Sequence, residues 1–408
     1  MKHVLIIGKK FSGFVKFLEE NGYDYTELRD IKSTKFPEKK FKHRVVADFS
    51  SREKILAAVD SLPVKPDAVF AIYETYILPA AWVAEYLKLP GLPVAAAEAC
   101  TDKYLMRSLF REAPEKISPD FREVQNYEEV KKFAEEHSFP LIMKPANLSK
   151  SLLVTKSCDM DELFMNYERT MAKIEEIYQK YAPDREPKLL IEEYLEGSVH
   201  SVDAFVDADG APHVMKEIVD YQTVYEIGYD DNFHYSRILP SRLSIEDQRE
   251  FLKCAEMGCR ALGMRSSAAH IEIIMTKAGP RIVEIGARNG GYRERMYRLA
   301  NGIDVTQNAL RLAFGKMPEI KATKNEPVAV LELFPHEAGR FVELSAKEEL
   351  EKLDSLEYLA VKAEVGKFIG KSSDGFKAAA IIILHHRDPE TFVKDLDFVN
   401  NNVRIITE

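Results

Sequence analysis

The run VEIGARNGG, residues 283 to 291, sets an acid, Glu284, and a base, Arg288, four residues apart, with Gly286 between them and Gly290-Gly291 closing the run. On an extended strand residues i, i+2 and i+4 share a face, so all three positions point to one side. Just upstream, AAHIEIIMTKAGPRIVEIG reads as two apolar runs around KAG. A three-residue loop of Lys277, Ala278 and Gly279, with Gly279 left-handed, sets Glu272 directly across from Glu284, with His270 on the same face. A two-residue turn puts the two acids on opposite faces. Facing carboxylates repel unless protons, a lysine or arginine, or a divalent cation lies between them. Hard oxygen ligands suit Mg²⁺ (or Mn²⁺), which takes one or two protein carboxylates and fills its other sites with water and substrate phosphates. Glu272 and Glu284 are thus a candidate metal pair; a solvated strand acid or a partner of Arg281 is the competing account.

Three other places carry chemistry that such a pair would need. Lys144 in PLIMKPANLSKS closes an apolar strand before a polar loop. A lysine there can reach a phosphate as a point charge, and the hydroxyls of Ser149 and Ser151 can cover it. Lys103 in TDKYLMR sits on a helix behind a Thr101 cap. LLIEEYLEGSVHSVD ends a strand in an acid, an aromatic and a leucine, a segment able to hold an adenine by backbone hydrogen bonds with apolar side chains on the ring. Taken singly, these read as well as surface lysines and an ordinary strand end. GGYRERMYR places Arg293, Arg295 and Arg298 just beyond the glycines, where one or two could meet a substrate carboxylate, although a solvated basic helix is the simpler account. The tyrosine- and acid-rich stretch 220–236 could line an ammonium pocket or pack on the core.

Such side chains need a scaffold, and the hydrophobic pattern supplies one. HVLIIG is a short apolar run stopped by glycine, as in a parallel strand covered on both faces. Strands alternate with helices, one of them capped by Ser51, to about residue 95, which predicts a doubly wound α/β domain. GKKFSGF lacks the G-x-G-x-x-G spacing, which argues against a dinucleotide site. From DFREV onward the pattern becomes α+β with antiparallel strands, a long helix over 160–181, a hairpin at Asp209-Gly210 and a helix over 244–262. Past residue 326, short strands with two interleaved helices predict a small α+β cap.

The chain has 408 residues, of which 46% are hydrophobic, enough for two or three packed domains. Its 57 basic and 66 acidic side chains leave a net charge of -9, which argues against nucleic acid as a partner. No stretch has the length of a membrane span, so a cytoplasmic protein is expected. Cys100, Cys158, Cys254 and Cys259 have no C-x-x-C spacing and read as reduced structural thiols.

The order Lys103, Lys144, IEEYLEG, Glu272, Glu284 and Arg288 resembles the ATP-grasp superfamily over roughly residues 1 to 320. The tail motifs HEAGRFVEL, VGKFIG and NNVRI look like the carboxylate-amine ligase branch, which includes L-amino-acid ligases. The resemblance implies an N-terminal Rossmann-like domain over 1–95, an ATP-grasp domain over 96–325 with lobes at about 113–195 and 196–325, and a C-terminal subdomain over 326–408. It also implies ATP and Mg²⁺ (or Mn²⁺) as cofactors, a small-molecule carboxylate and an amine as substrates, and an acyl phosphate between them. A carboxylase, a purine-pathway ligase and a non-catalytic ATP-binding regulator are the rival readings, and a homodimer is the expectation for a soluble enzyme of this size. Carried over by motif, Lys103 and Lys144 hold phosphates, Glu192 and the segment Glu193, Tyr194, Leu195 hold adenine, His200 is a possible nucleotide contact, Glu272 and Glu284 hold metal, and Arg288 faces the phosphoryl group. His270, Arg293 and Arg295 are the substrate candidates. Three departures stand out. The loop ANLSKSLL lacks the glycines many relatives have, a ribose-binding acid would fall near Val199, and Gly286 replaces an asparagine ligand. Water, a substrate oxygen or Asn289 must then complete the shell.

Overall fold

Apolar runs bounded by glycine become buried parallel strands. In the computed structural model, which describes residues 1–9, 12–33, 43–148, 152–182, 185–229, 231 and 233–408, β1 (His3–Ile7), β2 (Asp24–Asp30), β3 (Arg44–Ala47) and β4 (Ala68–Ala71) pair in parallel in the order β3-β2-β1-β4. Helices α1 (Ser12–Glu20), α2 (Arg52–Asp60) and α3 (Ile77–Leu87) accompany them. Ser51 caps α2 through its hydroxyl, which accepts the Lys54 N–H at 3.4 Å. Strand β2, DYTELRD, has no apolar run to announce it; its buried Glu27 is matched by Arg44 at 2.8 Å and its Thr26 hydroxyl by His3 at 2.9 Å.

Two short helices lead out of this domain, α4 (Val94–Thr101) and α5 (Lys103–Arg111). Asp102, not Thr101, caps α5. Its carboxylate accepts the N–H groups of Tyr104 at 2.9 Å and Leu105 at 3.2 Å, while the Thr101 hydroxyl donates back to the Ala97 carbonyl at 3.2 Å and closes α4. A charged acceptor at the first helical turn outcompetes a hydroxyl already engaged one turn earlier.

An antiparallel sheet follows, in the order β5-β8-β6-β7, from β5 (Phe121–Val124), β6 (Leu141–Pro145), β7 (Thr155–Ser157) and β8 (Leu189–Glu193), packed by α6 (Tyr127–Glu136) and α7 (Met160–Tyr181) around Val130, Phe133, Met143 and Ile191. The third and largest sheet holds β9 (Gly197–Val206), β10 (Pro212–Val214), β11 (Val219–Thr223), β12 (His234–Leu239), β13 (Ser267–Thr276) and β14 (Gly279–Gly286), with α8 (Ile245–Ala261), α9 (Arg293–Asn301) and α10 (Val305–Ala313) beside them. Strand β15 (Val328–Leu333) continues that sheet. After it come β16 (Gly339–Leu344), α11 (Lys347–Leu350), β17 (Leu356–Val361), β18 (Phe368–Ile369), β19 (Ala380–His385), α12 (Pro389–Asn402) and β20 (Ile405–Thr407).

Part of the tail extends the large sheet. Among the described residues the large sheet runs β14-β13-β9-β11-β12-β15-β19-β17, with β10 on β9, and only β18-β16-β20 stand apart. The physical reason lies in AAAIIILH, which is apolar on both faces and therefore needs a central position covered on both sides. Val202, Ile271 and Ile285 accordingly share one core with Val330, Ile382 and Phe392.

The hairpin β13-β14 brings Glu272 opposite Glu284, by a different device from the three-residue loop expected. Thr276 pairs with Gly279, so the turn has two residues, with Gly279 at φ 94°. A bulge then intervenes: Ile273 pairs with Ile282 but Glu272 with Glu284, which leaves Val283 as the extra residue and resets the face of everything beyond it. The freed Val283 carbonyl accepts from Arg107 Nη2 at 2.8 Å.

Cys100, Cys254 and Cys259 are buried, and burial pushes the last two thiols up to about 12. Cys158 is exposed, so the expectation of a structural thiol fails for it. Among the described residues no helix is long and apolar enough to cross a membrane.

Candidate active site

A cleft of ≈ 2070 Å³ is lined by residues from the N-terminal domain, the antiparallel sheet, the large sheet and the tail. Lys103, Lys144, Glu192, Glu193, Tyr194, Leu195, Glu272, Glu284, Arg288 and Arg295 all line it. Each acid of the facing pair has a cation of its own. Lys103, at the start of α5, places Nζ 3.2 Å from Glu284 Oε2 and 3.3 Å from the Leu148 carbonyl. His270 Nε2 lies 3.5 Å from Glu272 Oε1. Burial would raise the Glu272 carboxyl, but the bond to His270 and its charge outweigh it and hold the group down at about 2. Burial would likewise lower His270; Asp203, 3.2 Å from its Nδ1, reverses this and raises it to about 10, so the ring is an imidazolium at neutral pH.

Gly286 is not an open slot. A Cβ built there would stand 3.1 Å from Glu74 Oε2 and 3.6 Å from Arg288 Cζ. The space is filled by an ion pair, Arg288 Nε to Glu74 Oε2 at 2.8 Å. Glu74 comes from the short turn after β4, a residue the sequence reading missed. Its signal was positional, since AIYETY follows the carboxyl end of a parallel strand, where open α/β sheets present ligand groups. Asn289 also lines the cleft. Its Nδ2 donates to the Val305 carbonyl at 3.1 Å, while its buried Oδ1 has no hydrogen-bond partner among the described residues.

The second cation cluster is drier. Lys144 Nζ lies 2.6 Å from Glu192 Oε2, and Arg107 Nε lies 3.1 Å from Glu192 Oε1. Burial, helped by Arg107 and Lys103, outweighs the attraction of Glu192 and pulls the Lys144 ammonium down to about 8. For Glu192 burial acts upward, but the two cations dominate and lower it. Both Glu192 oxygens therefore face cations, which leaves the backbone beyond it as the group facing the cleft. Glu193 turns to Lys116 at 3.2 Å and to the Asp120 N–H at 2.9 Å, and Lys156 sits 4.0 Å over the Tyr194 ring.

The remaining expected residues lie elsewhere. His200 is on the opposite face of β9 from Ser201 and Glu272; its Nδ1 meets Asp220 Oδ1 at 2.8 Å and its Nε2 meets Ser198 Oγ at 2.6 Å, so it is a satisfied core histidine. His270 and Arg293 are buried behind the cleft wall, not on it. Arg293 Nη2 donates to Ser201 Oγ and Tyr221 Oη, both at 2.8 Å, and its Nε lies 3.4 Å from Asp203 Oδ2. Ser149 and Ser151 fall outside the described residues.

The donor set suits a nucleotide and a hard divalent ion. Glu272, Glu284 and the unpartnered Asn289 Oδ1 offer anionic and neutral oxygens, and the buried Arg107 Nη1 has no hydrogen-bond partner among the described residues. Lys103 and Lys144, with Arg107 and Arg288, add cations among those acids.

Comparison with known proteins agrees with that chemistry. The ATP-grasp domain family model matches residues 137–295. The alanine–anticapsin ligase of Bacillus subtilis (strain 168) is 29% identical over 261 residues, which cover 61% of this chain and 54% of that protein. The chain thus spans about half the length of that relative. Among solved structures, the L-amino acid ligase from Bacillus licheniformis superposes with a TM-score of 0.79 at 20% identity, covering 100% of this chain and 99% of that one. Phosphoribosylglycinamide synthetase from Anaerococcus prevotii superposes at 0.70 with 19% identity and full coverage of both chains. At such identities the structures speak for the fold.

Proposed function

We propose that this chain, whose residues 137–295 match the ATP-grasp domain family model, is an ADP-forming carbon–nitrogen ligase joining a carboxylate, an amino acid or small peptide, to an amine. One observation carries the reading: Lys103, Lys144, Glu272, Glu284 and Arg288, drawn from three separate units of the chain, converge on a single cleft. The sequence similarity to an alanine–anticapsin ligase supports the same chemistry.

Phosphoryl transfer is catalysed mainly by positioning and charge neutralisation, which fits a site made of cations and two acids. Lys103 and Lys144 hold the ATP phosphates, and the backbone from Glu193 to Leu195 holds adenine. Glu272 and Glu284, with Asn289 Oδ1, would hold Mg²⁺, which when bound would neutralise phosphate charge. A carboxylate oxygen of the substrate attacks the γ-phosphorus, the phosphorus–oxygen bond to ADP breaks, and an acyl phosphate forms. The amine nitrogen then attacks the acyl carbon, phosphate leaves with the electrons of the carbon–oxygen bond, and the nitrogen gives up a proton. Arg288 presents a planar fork to the developing oxyanion, and Glu74 fixes its orientation.

The test is ADP release with Mg²⁺ over pooled carboxylates and amines, with product masses read out. Release that requires both a carboxylate and an amine, with a condensed product, is expected. Release driven by bicarbonate without an amine would move the protein to the carboxylases, and tight ATP binding with no turnover on any pair would make it a regulator.

Lys144 gives this reading a pH signature. Its ammonium is charged at neutral pH and is lost as pH rises through about 8. Phosphate binds the charged form, so KM for ATP should be flat up to about pH 7.5 and then rise by up to about tenfold per unit. Lys144→Arg keeps its charge throughout and flattens the rise. A flat wild-type profile over that interval would remove Lys144 from the phosphate site.

A further inference from the structure

We propose that the tail end of the cleft is a pocket for a carboxylate at the far end of an extended substrate, either a peptide C-terminus or an acidic side chain. The proposal rests on the ligase reading above and names the substrate class it leaves open.

The register of the large sheet ties that end to the reacting end. Directly opposed residues of antiparallel strands point to the same side. Glu272 pairs with Ser201, and Ser201 with Val219. Tyr221, two residues on, pairs with Arg237, and Arg237 with Val330. Glu332, two residues on again, pairs with Ile381, and Ile381 with Ala360. Tyr358 and Lys362 lie two residues either side of Ala360, so they face the side that carries the metal pair. If the sheet were flat, the six strand spacings from β13 to β17 would make about 29 Å. The sheet curls enough for helix α9 to reach both β9, one strand in from β13, and β17 at the far end. Arg293 reaches Ser201 on β9, and Arg295, two residues later, lies 4.4 Å over the Tyr358 ring on β17.

Charge along this path is uneven. The acids around the facing pair already have cations: Glu74 has Arg288, Glu192 has Lys144 and Arg107, Glu193 has Lys116, Glu272 has His270 and Glu284 has Lys103. Nearer the tail, Glu294 has Arg298 and Glu332 has Arg237 at 2.8 Å. Five cleft-lining cations, Lys32, Arg185, Arg295, Lys362 and Lys377, have no carboxylate within ion-pair distance among the described residues; Lys32 belongs to the N-terminal domain, Arg185 donates to the carbonyls of Thr101 and Asn147, and the other three stand together at the tail end. The Lys362 N–H donates to the Ala379 carbonyl at 2.7 Å, which keeps it beside the strand that follows Lys377. Between these cations and the Arg237–Glu332 pair the lining is apolar, from Phe334, Phe376, Ile381 and Ile383. An apolar strip ending in unmatched positive charge fits an extended body with an anionic end.

The test compares matched partners in the ADP-release assay: glutamate with glutamine, alanyl-glutamate with alanyl-glutamine, and each dipeptide with its C-terminal amide. Loss of the distal charge should raise KM about tenfold or more with a smaller effect on kcat. Which of the two charges matters separates a side-chain carboxylate from a peptide C-terminus. The Lys362→Ala/Lys377→Ala protein, altered at two exposed positions, should lose the discrimination. Equal KM for charged and uncharged partners overturns the proposal, as does discrimination that survives in the double variant. Should no pair release ADP, the ligase reading fails instead, and calorimetric titration of the same compounds still decides. Preferential binding of the charged member, lost in the double variant, supports the pocket, and equal binding overturns it.

Discussion

Glu284→Gln is expected to lower Mg²⁺-dependent ADP release by about 10³-fold or more while the protein stays folded. The amide keeps the size of the side chain but removes the negative charge opposite Glu272. A lost anionic metal ligand in a site that works by charge neutralisation costs on the order of 4 kcal/mol in transition-state stabilisation, which is about three powers of ten in rate. The fold loses little, because Glu284 is partly exposed and its Lys103 partner, 3.2 Å away, keeps the Leu148 carbonyl. A coupled ADP assay over a wide Mg²⁺ range, together with thermal melting, checks both halves. Near-normal turnover in the variant would sink the metal assignment, and a collapsed melting temperature would mean that the pair holds the structure together instead.

That Glu272 and Glu284 face each other was legible in the sequence because strand periodicity across the hairpin sets both on one face. The bulge at Val283 was not, since the local pattern fits a longer loop as well as a tight turn with a bulge, and the freed carbonyl is taken up by a guanidinium, Arg107, far away in sequence. Gly286 was misread for a similar reason. Its missing side chain looked like room for a ligand, but a residue more than two hundred positions earlier, Glu74, occupies it. Ligand-like side chains such as His200 on β9 and Arg293 at the start of α9 were assigned to the site by their types, whereas strand alternation places the first on the other face and burial places the second behind the wall. Strand β2 escaped notice because its core-facing members are partly charged and satisfied by pairs. The sheet to which the tail strands belong was not legible because local pattern carries no strand order; the pairing of Val328 through Leu333 with β12 and β19 joins them to the large sheet.

Arg107→Met should be the most destabilising single change in the cleft, by about 3–5 kcal/mol, because it breaks a buried ion pair from one side. Arg107 is 1% exposed and Glu192 3% exposed. Methionine fills the volume but leaves Glu192 with Lys144 alone and strands the Val283 carbonyl, whose position in the bulge fixes the face of Glu284. The loss should appear as a lower melting temperature, and the double variant Arg107→Met/Glu192→Gln should recover part of it, because neutralising the carboxylate removes the uncompensated charge. A second consequence is independent of stability. Arg107 is one of the groups that lower the Lys144 ammonium, so its removal should move the rise in KM for ATP to higher pH. A purely structural role would lower the melting temperature and leave that midpoint in place, whereas a variant that melts with the wild type would show that Glu192 is not held by Arg107 at all.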